Sequence, residues 1–107
     1  AGLAAVVDFR HGDALALLQT LPGPFDFVLL DIWKDLYIPC LDLFYPKLAP
    51  GAVIGADNMI EPRGHRAEAV DYRRAVRVKP QMQSMLLPLG QGIELSRFAG
   101  GLPAHLI

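Results

Sequence analysis

Apolar positions fall into a repeating pattern along this chain: short unbroken runs alternate with stretches in which every third or fourth residue is apolar. "AVVDF" opens the pattern and predicts a short strand over residues 5–10, closed by the turn-former Gly12. Leu15, Leu18 and Leu21 then recur at helical spacing, Asp13 is placed to cap that helix, and the Pro-Gly-Pro at 22–24 stops it. Phe25 to Leu30 is almost wholly apolar, the mark of a strand covered on both faces in a parallel sheet.

From Tyr37 to Leu48 the apolar residues Ile38, Leu41, Phe44, Tyr45 and Leu48 share one helical face, and "APG" at 49–51 ends it. "AVIGA" at 52–56 is a second buried-strand run, and "EPRGH" at 61–65 is a loop. Residues 66–79 carry charge on one side and Ala69, Tyr72 and Val76 on the other, a surface helix that Pro80 closes. "QSMLLPL" and "GIELSRF" flank "GQG" as a hairpin, and 99–107 is expected to be a loosely held tail. Strand and helix alternating before a hairpin define an α/β fold, a mostly parallel sheet with one antiparallel strand in the hairpin.

In such sheets ligands bind beyond the carboxyl ends of the strands. That rule directs attention to Gly12-Asp13, to Asp31 through Lys34, and to Asp57-Asn58. If the two buried strands are neighbours, Asp31, Asp57 and Asn58 bring two carboxylates and an amide oxygen to one point. Such hard oxygen donors suit Mg²⁺ or Ca²⁺ rather than zinc, and leave positions open for substrate oxygens. Lys34, partly desolvated and beside a cation, becomes a candidate general base for a substrate hydroxyl. Trp33 offers a flat wall to an aromatic ring or to a charged sulfonium or ammonium. Each residue also has a plainer reading: acids at strand ends and "DN" after a strand are ordinary loop and turn residues, Lys34 a solvated charge, Trp33 a packing aromatic.

Other features point elsewhere. The single Cys40 leaves no disulfide framework and fits a reducing, cytoplasmic setting, where it packs as a small hydrophobe. Ten basic against eleven acidic residues give no field that attracts nucleic acid or an anionic membrane. No stretch reaches the ~20 apolar residues of a spanning helix. His11, His65 and His105 lack ligand spacing and read as loop histidines, and Arg73, Arg74 and Arg77 read as a solvated helix face. "GQG" at 90–92 begins like a nucleotide-binding loop, but Leu95 breaks the motif and the context is a hairpin. The 107 residues form one domain at most, beginning with Ala rather than Met, as a processed chain or a piece of a longer one does.

"LLDIWKDLY" followed by "PKLAPGAVIGADN" resembles the catechol O-methyltransferase group of S-adenosylmethionine-dependent methyltransferases and their bacterial O-methyltransferase relatives. "FRHGDALALLQTLPGPFDFVLLD" resembles the stretch leading into that motif, and "LLPLGQGIELSRF" the closing hairpin, so the likeness runs from about residue 5 to 98. It implies that Asp31, Asp57 and Asn58 are Mg²⁺ ligands and that Lys34 deprotonates the substrate hydroxyl. It further implies that Gly12 and Asp13 lie in the adenine-side loop, with Asp31, Ile32 and Trp33 bordering S-adenosylmethionine. Ile32 departs from the pattern, standing where the catechol enzymes carry a histidine against the cosubstrate.

The family's Gly-rich E-x-G loop and its first two strands and helices have no counterpart in the sequence. The chain therefore resembles the carboxyl-terminal portion of a Rossmann-like methyltransferase domain. Those two strands sit between the third and fourth, so the resemblance implies an orphaned "AVVDF" and a bared edge on the strand that leads to Asp31.

Two functions are expected from this. One is Mg²⁺-assisted methyl transfer from S-adenosylmethionine to a hydroxyl of a catechol-like small molecule. The other is a non-catalytic remnant, paired as a homodimer through the bared edge, that keeps the metal triad but does not bind S-adenosylmethionine. The first is preferred for the family, the second for the chain taken alone.

Overall fold

A strand needs a neighbour to satisfy its backbone, and the sheet that forms here has four members. The computed structural model describes residues 5–60 and 63–100. Their elements are α1 (Ala14–Thr20), β1 (Phe25–Leu30), α2 (Tyr37–Phe44), β2 (Leu48–Ala56), α3 (Arg66–Arg77), β3 (Met82–Leu87) and β4 (Ile93–Phe98). The sheet order is β1-β2-β4-β3. β1 pairs with β2 in parallel, while β4 runs antiparallel to both β2 and β3. Three strands thus share one direction and β4 opposes them, as the sequence pattern predicts.

Three expectations need correction. Residues 5–11 form no strand: Val6 and Phe9 are 79% and 86% exposed, and Asp8 and Arg10 form a local ion pair of 2.9 Å. An extended segment with no ladder beside it gains nothing over hydration of its backbone. The helix expected to reach Leu48 ends at Phe44, because Pro46 lacks an amide proton and the chain tightens into a 3₁₀ turn over Tyr45–Lys47. β2 consequently begins four residues early, at Leu48, and absorbs the change as an irregularity between the pairs Phe25↔Leu48 and Phe27↔Val53. Arg77 lies on the exposed face that was expected, 44% exposed, and from there also forms a two-pronged ion pair with Glu94: Nε to Oε2 at 2.7 Å and the terminal nitrogen to Oε1 at 3.0 Å. Glu94 is fully buried, so its charge needs that partner.

Asp13 caps α1, its carboxylate accepting from the Leu15 amide at 3.1 Å. At the other end Lys47 donates to the carbonyls of Leu18 and Leu21 at 2.6 and 2.7 Å, satisfying oxygens the helix leaves free. Tyr37, Cys40, Leu41 and Phe44 of α2 and Ala69, Tyr72 and Val76 of α3 bury one face each. They pack on the side of the sheet that carries Leu30, Ala52, Ile54 and Ala56.

Among the described residues the other side is bare, so β1 is covered on one face and not on both as its apolar run suggested. Phe27, Leu29, Met85 and Leu95 are exposed there, and the register sets Leu29, Gly55, Leu95 and Met85 in one row across all four strands. Among the described residues β1 is an end strand with β2 as its one neighbour, so its outer edge is open there, as the resemblance implied. Ala99 is buried and its amide donates to the Gln81 carbonyl at 2.8 Å; the rest of the expected tail, from 101, lies outside the described residues.

Candidate active site

The last register pair of the parallel strands is Leu30↔Ala56. Asp31 and Asp57 are the next residues on each strand, so the ladder sets them side by side where the two ends open. The Asp57 amide continues the ladder by donating to the Leu30 carbonyl at 3.0 Å. Adjacent parallel strands are the condition on which the acidic constellation rests, and the fold meets it.

Lys34 starts the short 3₁₀ turn that leads from β1 into α2. Its ammonium lies 3.4 Å from the Tyr37 hydroxyl and 4.7 Å from the centre of that ring, a cation–π contact. Burial lowers the Lys34 pKa below the usual lysine range, and the charges of Asp57 and Asp31 pull against that fall.

Tyr37 itself was legible in the sequence only as the start of a helix. Its hydroxyl donates between the carbonyl oxygens of Asp57, at 2.9 Å, and Leu30, at 3.1 Å, fastening the two strand ends together. Burial, with the charge of Asp31, pushes its pKa up to about 12, so the phenol keeps its proton.

Asn58 follows with φ of 62°, the left-handed region that asparagine tolerates. Its backbone N–H donates to Oδ1 of the adjacent Asp57 at 2.7 Å, and its side-chain Nδ2 donates to Oε1 of Gln91 in the hairpin turn. Asp31, Ile32, Trp33, Lys34, Asn58 and His65 line one cleft of ≈200 Å³. His65, read from sequence as an ordinary loop histidine, therefore stands at the rim of the site.

A second, wider cleft of ≈540 Å³ is lined by Gly12, Asp13, Ala14, Asp31, Ile32, Trp33 and Leu36. Gly12, Asp13, Asp31, Ile32 and Trp33, the residues expected to border a cosubstrate, thus share one groove. Trp33, 76% exposed, belongs to both clefts and forms a wall between them. A third hollow, ≈310 Å³, lies on the hairpin away from these strand ends and holds none of the expected site residues.

Among the described residues no group of three or more His, Cys, Asp and Glu side chains is placed to hold a metal ion. The candidate triad holds two carboxylates and an amide oxygen, a hard-donor set that fits Mg²⁺ or Ca²⁺ and lacks the nitrogen and sulfur that zinc selects.

No family model matches the chain. Caffeoyl-CoA O-methyltransferase 2 of Eucalyptus globulus is 33% identical over 118 residues, an alignment covering 91% of this chain and 48% of that protein. Caffeoyl-CoA O-methyltransferase of Zinnia elegans is 32% identical with the same coverage. Cofactor-bound Rv0187 from MTB superposes with a TM-score of 0.75 at 29% identity, over 92% of this chain and 51% of that one. The O-methyltransferase TomG from Streptomyces achromogenes, in complex with SAM, superposes at 0.77 with 22% identity over 92% and 52%, a likeness of fold.

In sequence and fold the chain is similar to part of the S-adenosylmethionine-dependent O-methyltransferases. Its curated relatives within the class are caffeoyl-CoA O-methyltransferases, and the chain spans about half their length.

Proposed function

We propose that this chain carries the metal- and substrate-binding half of an S-adenosylmethionine-dependent O-methyltransferase acting on a catechol-like small molecule. The observation that carries the reading is the Leu30↔Ala56 pairing, which sets Asp31 beside Asp57 with Lys34 close to both.

In this reading Asp31, Asp57 and Asn58 hold Mg²⁺, which when bound supplies positive charge that orients neighbouring hydroxyls and lowers their pKa. Lys34 Nζ takes the proton from the substrate hydroxyl, an amine whose burial already favours its neutral form. The freed oxygen lone pair attacks the methyl carbon of S-adenosylmethionine in line, and the carbon–sulfur bond breaks with its electron pair left on sulfur. The groove lined by Gly12, Asp13, Ile32 and Trp33 takes the adenosine side of that cosubstrate, and Trp33 separates it from the aromatic acceptor.

Titration of the chain with Mg²⁺ and then S-adenosylmethionine in a calorimeter tests this. Binding heat at micromolar cosubstrate, and methyl transfer to a catechol, support the reading. A folded chain that gives neither sinks it.

A second reading draws on the open edge of β1 and the exposed Phe27 and Leu29 beside it: a non-catalytic remnant paired with a second copy. Its signature is a dimer in sedimentation that gives no heat with S-adenosylmethionine. An in-frame E-x-G-x-x-x-G segment in the upstream coding sequence would favour the first reading instead.

A further inference from the structure

An asparagine side chain presents an acceptor and a donor that differ by half a turn about one bond. Only the oxygen can ligate a cation, so an Asn ligand works when something fixes which end faces the site. In this chain that something is visible. Asn58 Nδ2 donates to Gln91 Oε1, which occupies the donor end and leaves the Asn58 oxygen available.

The turn bearing Gln91 is itself held against the Asn58 loop. The Met59 amide donates to the Gly92 carbonyl at 3.0 Å, and the Ile60 amide to the Gln91 carbonyl at 2.9 Å. Gly92 has φ of +90°, and a Cβ there would fall 2.6 Å from Ile60 Cγ1 and 2.8 Å from Ile60 N. Glycine is thus required for the turn to approach so closely. "GQG", which is no nucleotide-binding loop, has a different use in this fold.

We propose that Gln91 is a positioning residue for Asn58, selecting the amide orientation in which the Asn58 oxygen can ligate a divalent cation. The inference rests on the metal reading above. Outer-sphere groups of this kind are worth about 10- to 100-fold in metal affinity.

The test is Mn²⁺ binding, followed by electron paramagnetic resonance of the free ion, to the wild-type chain and to Gln91→Leu and Gln91→Glu variants. Gln91→Leu removes the acceptor and is expected to weaken Mn²⁺ binding about tenfold. Gln91→Glu can only accept, so it is expected to restore the affinity. A metal-free readout accompanies this: the Asn58 side-chain NH₂ resonances should shift in Gln91→Leu and return toward wild type in Gln91→Glu. Wild-type binding that Gln91→Leu leaves unchanged, with unmoved Asn58 resonances, overturns the proposal alone. A wild-type chain that takes up no Mn²⁺ overturns the metal reading and this inference with it. If Gln91→Leu does not fold, unequal affinities of Gln91→Glu and wild type, with Glu the weaker, count against the proposal.

Discussion

The Tyr37 hydroxyl sits 2.9 Å from the Asp57 carbonyl oxygen, so a side chain from the first turn of α2 clasps the end of β2. The same hydroxyl reaches the Leu30 carbonyl, and one oxygen thereby secures both acid-bearing strand ends. Tyr37→Phe removes the clasp: the Leu30 carbonyl keeps the Asp57 amide as its donor, while the part-buried Asp57 carbonyl loses the tyrosine hydroxyl. A loss of about 1–3 kcal/mol in denaturant unfolding is expected.

The same phenol gives a pH signature. Its folded pKa, about 12, lies above the ~10 of an unfolded tyrosine. The stability it contributes is therefore fully present below pH ~10 and is lost as pH rises toward 12. Unfolding midpoints of wild type should fall through that window, and Tyr37→Phe should flatten the decline. Parallel curves for the two proteins would contradict the assignment.

Lys34→Ala is expected to cut methyl transfer by about 10²- to 10⁴-fold, the range of a lost general base, while sparing Mg²⁺ binding. The activity of the wild type should rise with pH as the amine loses its proton, because only the neutral amine can accept one. That rising limb should vanish in the variant. Loss of cation binding in Lys34→Ala would count against the base role.

The Arg77–Glu94 pair makes an asymmetric prediction. Glu94 is wholly buried, whereas the Arg77 side chain is 44% exposed. Arg77→Ala strands a buried carboxylate with Ser84, 2.5 Å away, as its remaining donor. A cost of about 3 kcal/mol is expected, the lower end for orphaning a buried charge. Glu94→Gln leaves an arginine that water can reach and should cost less. Thermal melts of the two variants decide the order.

The strands, the helices and the acids at the strand ends were legible because each is written in a local run of residues. "FDFVLL" and "AVIGA" declare strands, though the first is covered on one face only, and the residues after them must emerge at the sheet's carboxyl edge. Other features depend on partners far along the chain. "AVVDF" has the composition of a strand, but strand formation needs a neighbouring ladder. In β4 the polar residues Glu94 and Ser96 face the helices while Leu95 is 36% exposed, the reverse of what alternation suggests. Only Arg77 and Ser84, contributed by α3 and β3, make that inversion tolerable. The Asn58–Gln91 contact spans 33 residues and leaves no periodic trace. His65 read as an ordinary loop histidine because no spacing marked it, yet it lines the cleft.

A slab greased on one side is ill suited to life alone in water. With Phe27, Leu29, Met85 and Leu95 facing outward, the native chain should brighten an environment-sensitive dye before any denaturant is added. Paired Leu29→Lys and Met85→Lys changes should quench that glow and leave the helix-backed interior, and so the far-ultraviolet spectrum, as it was. The sheet's two sides would then answer to different solvents: one to the protein's own helices, the other to whatever surface the cell lays against it.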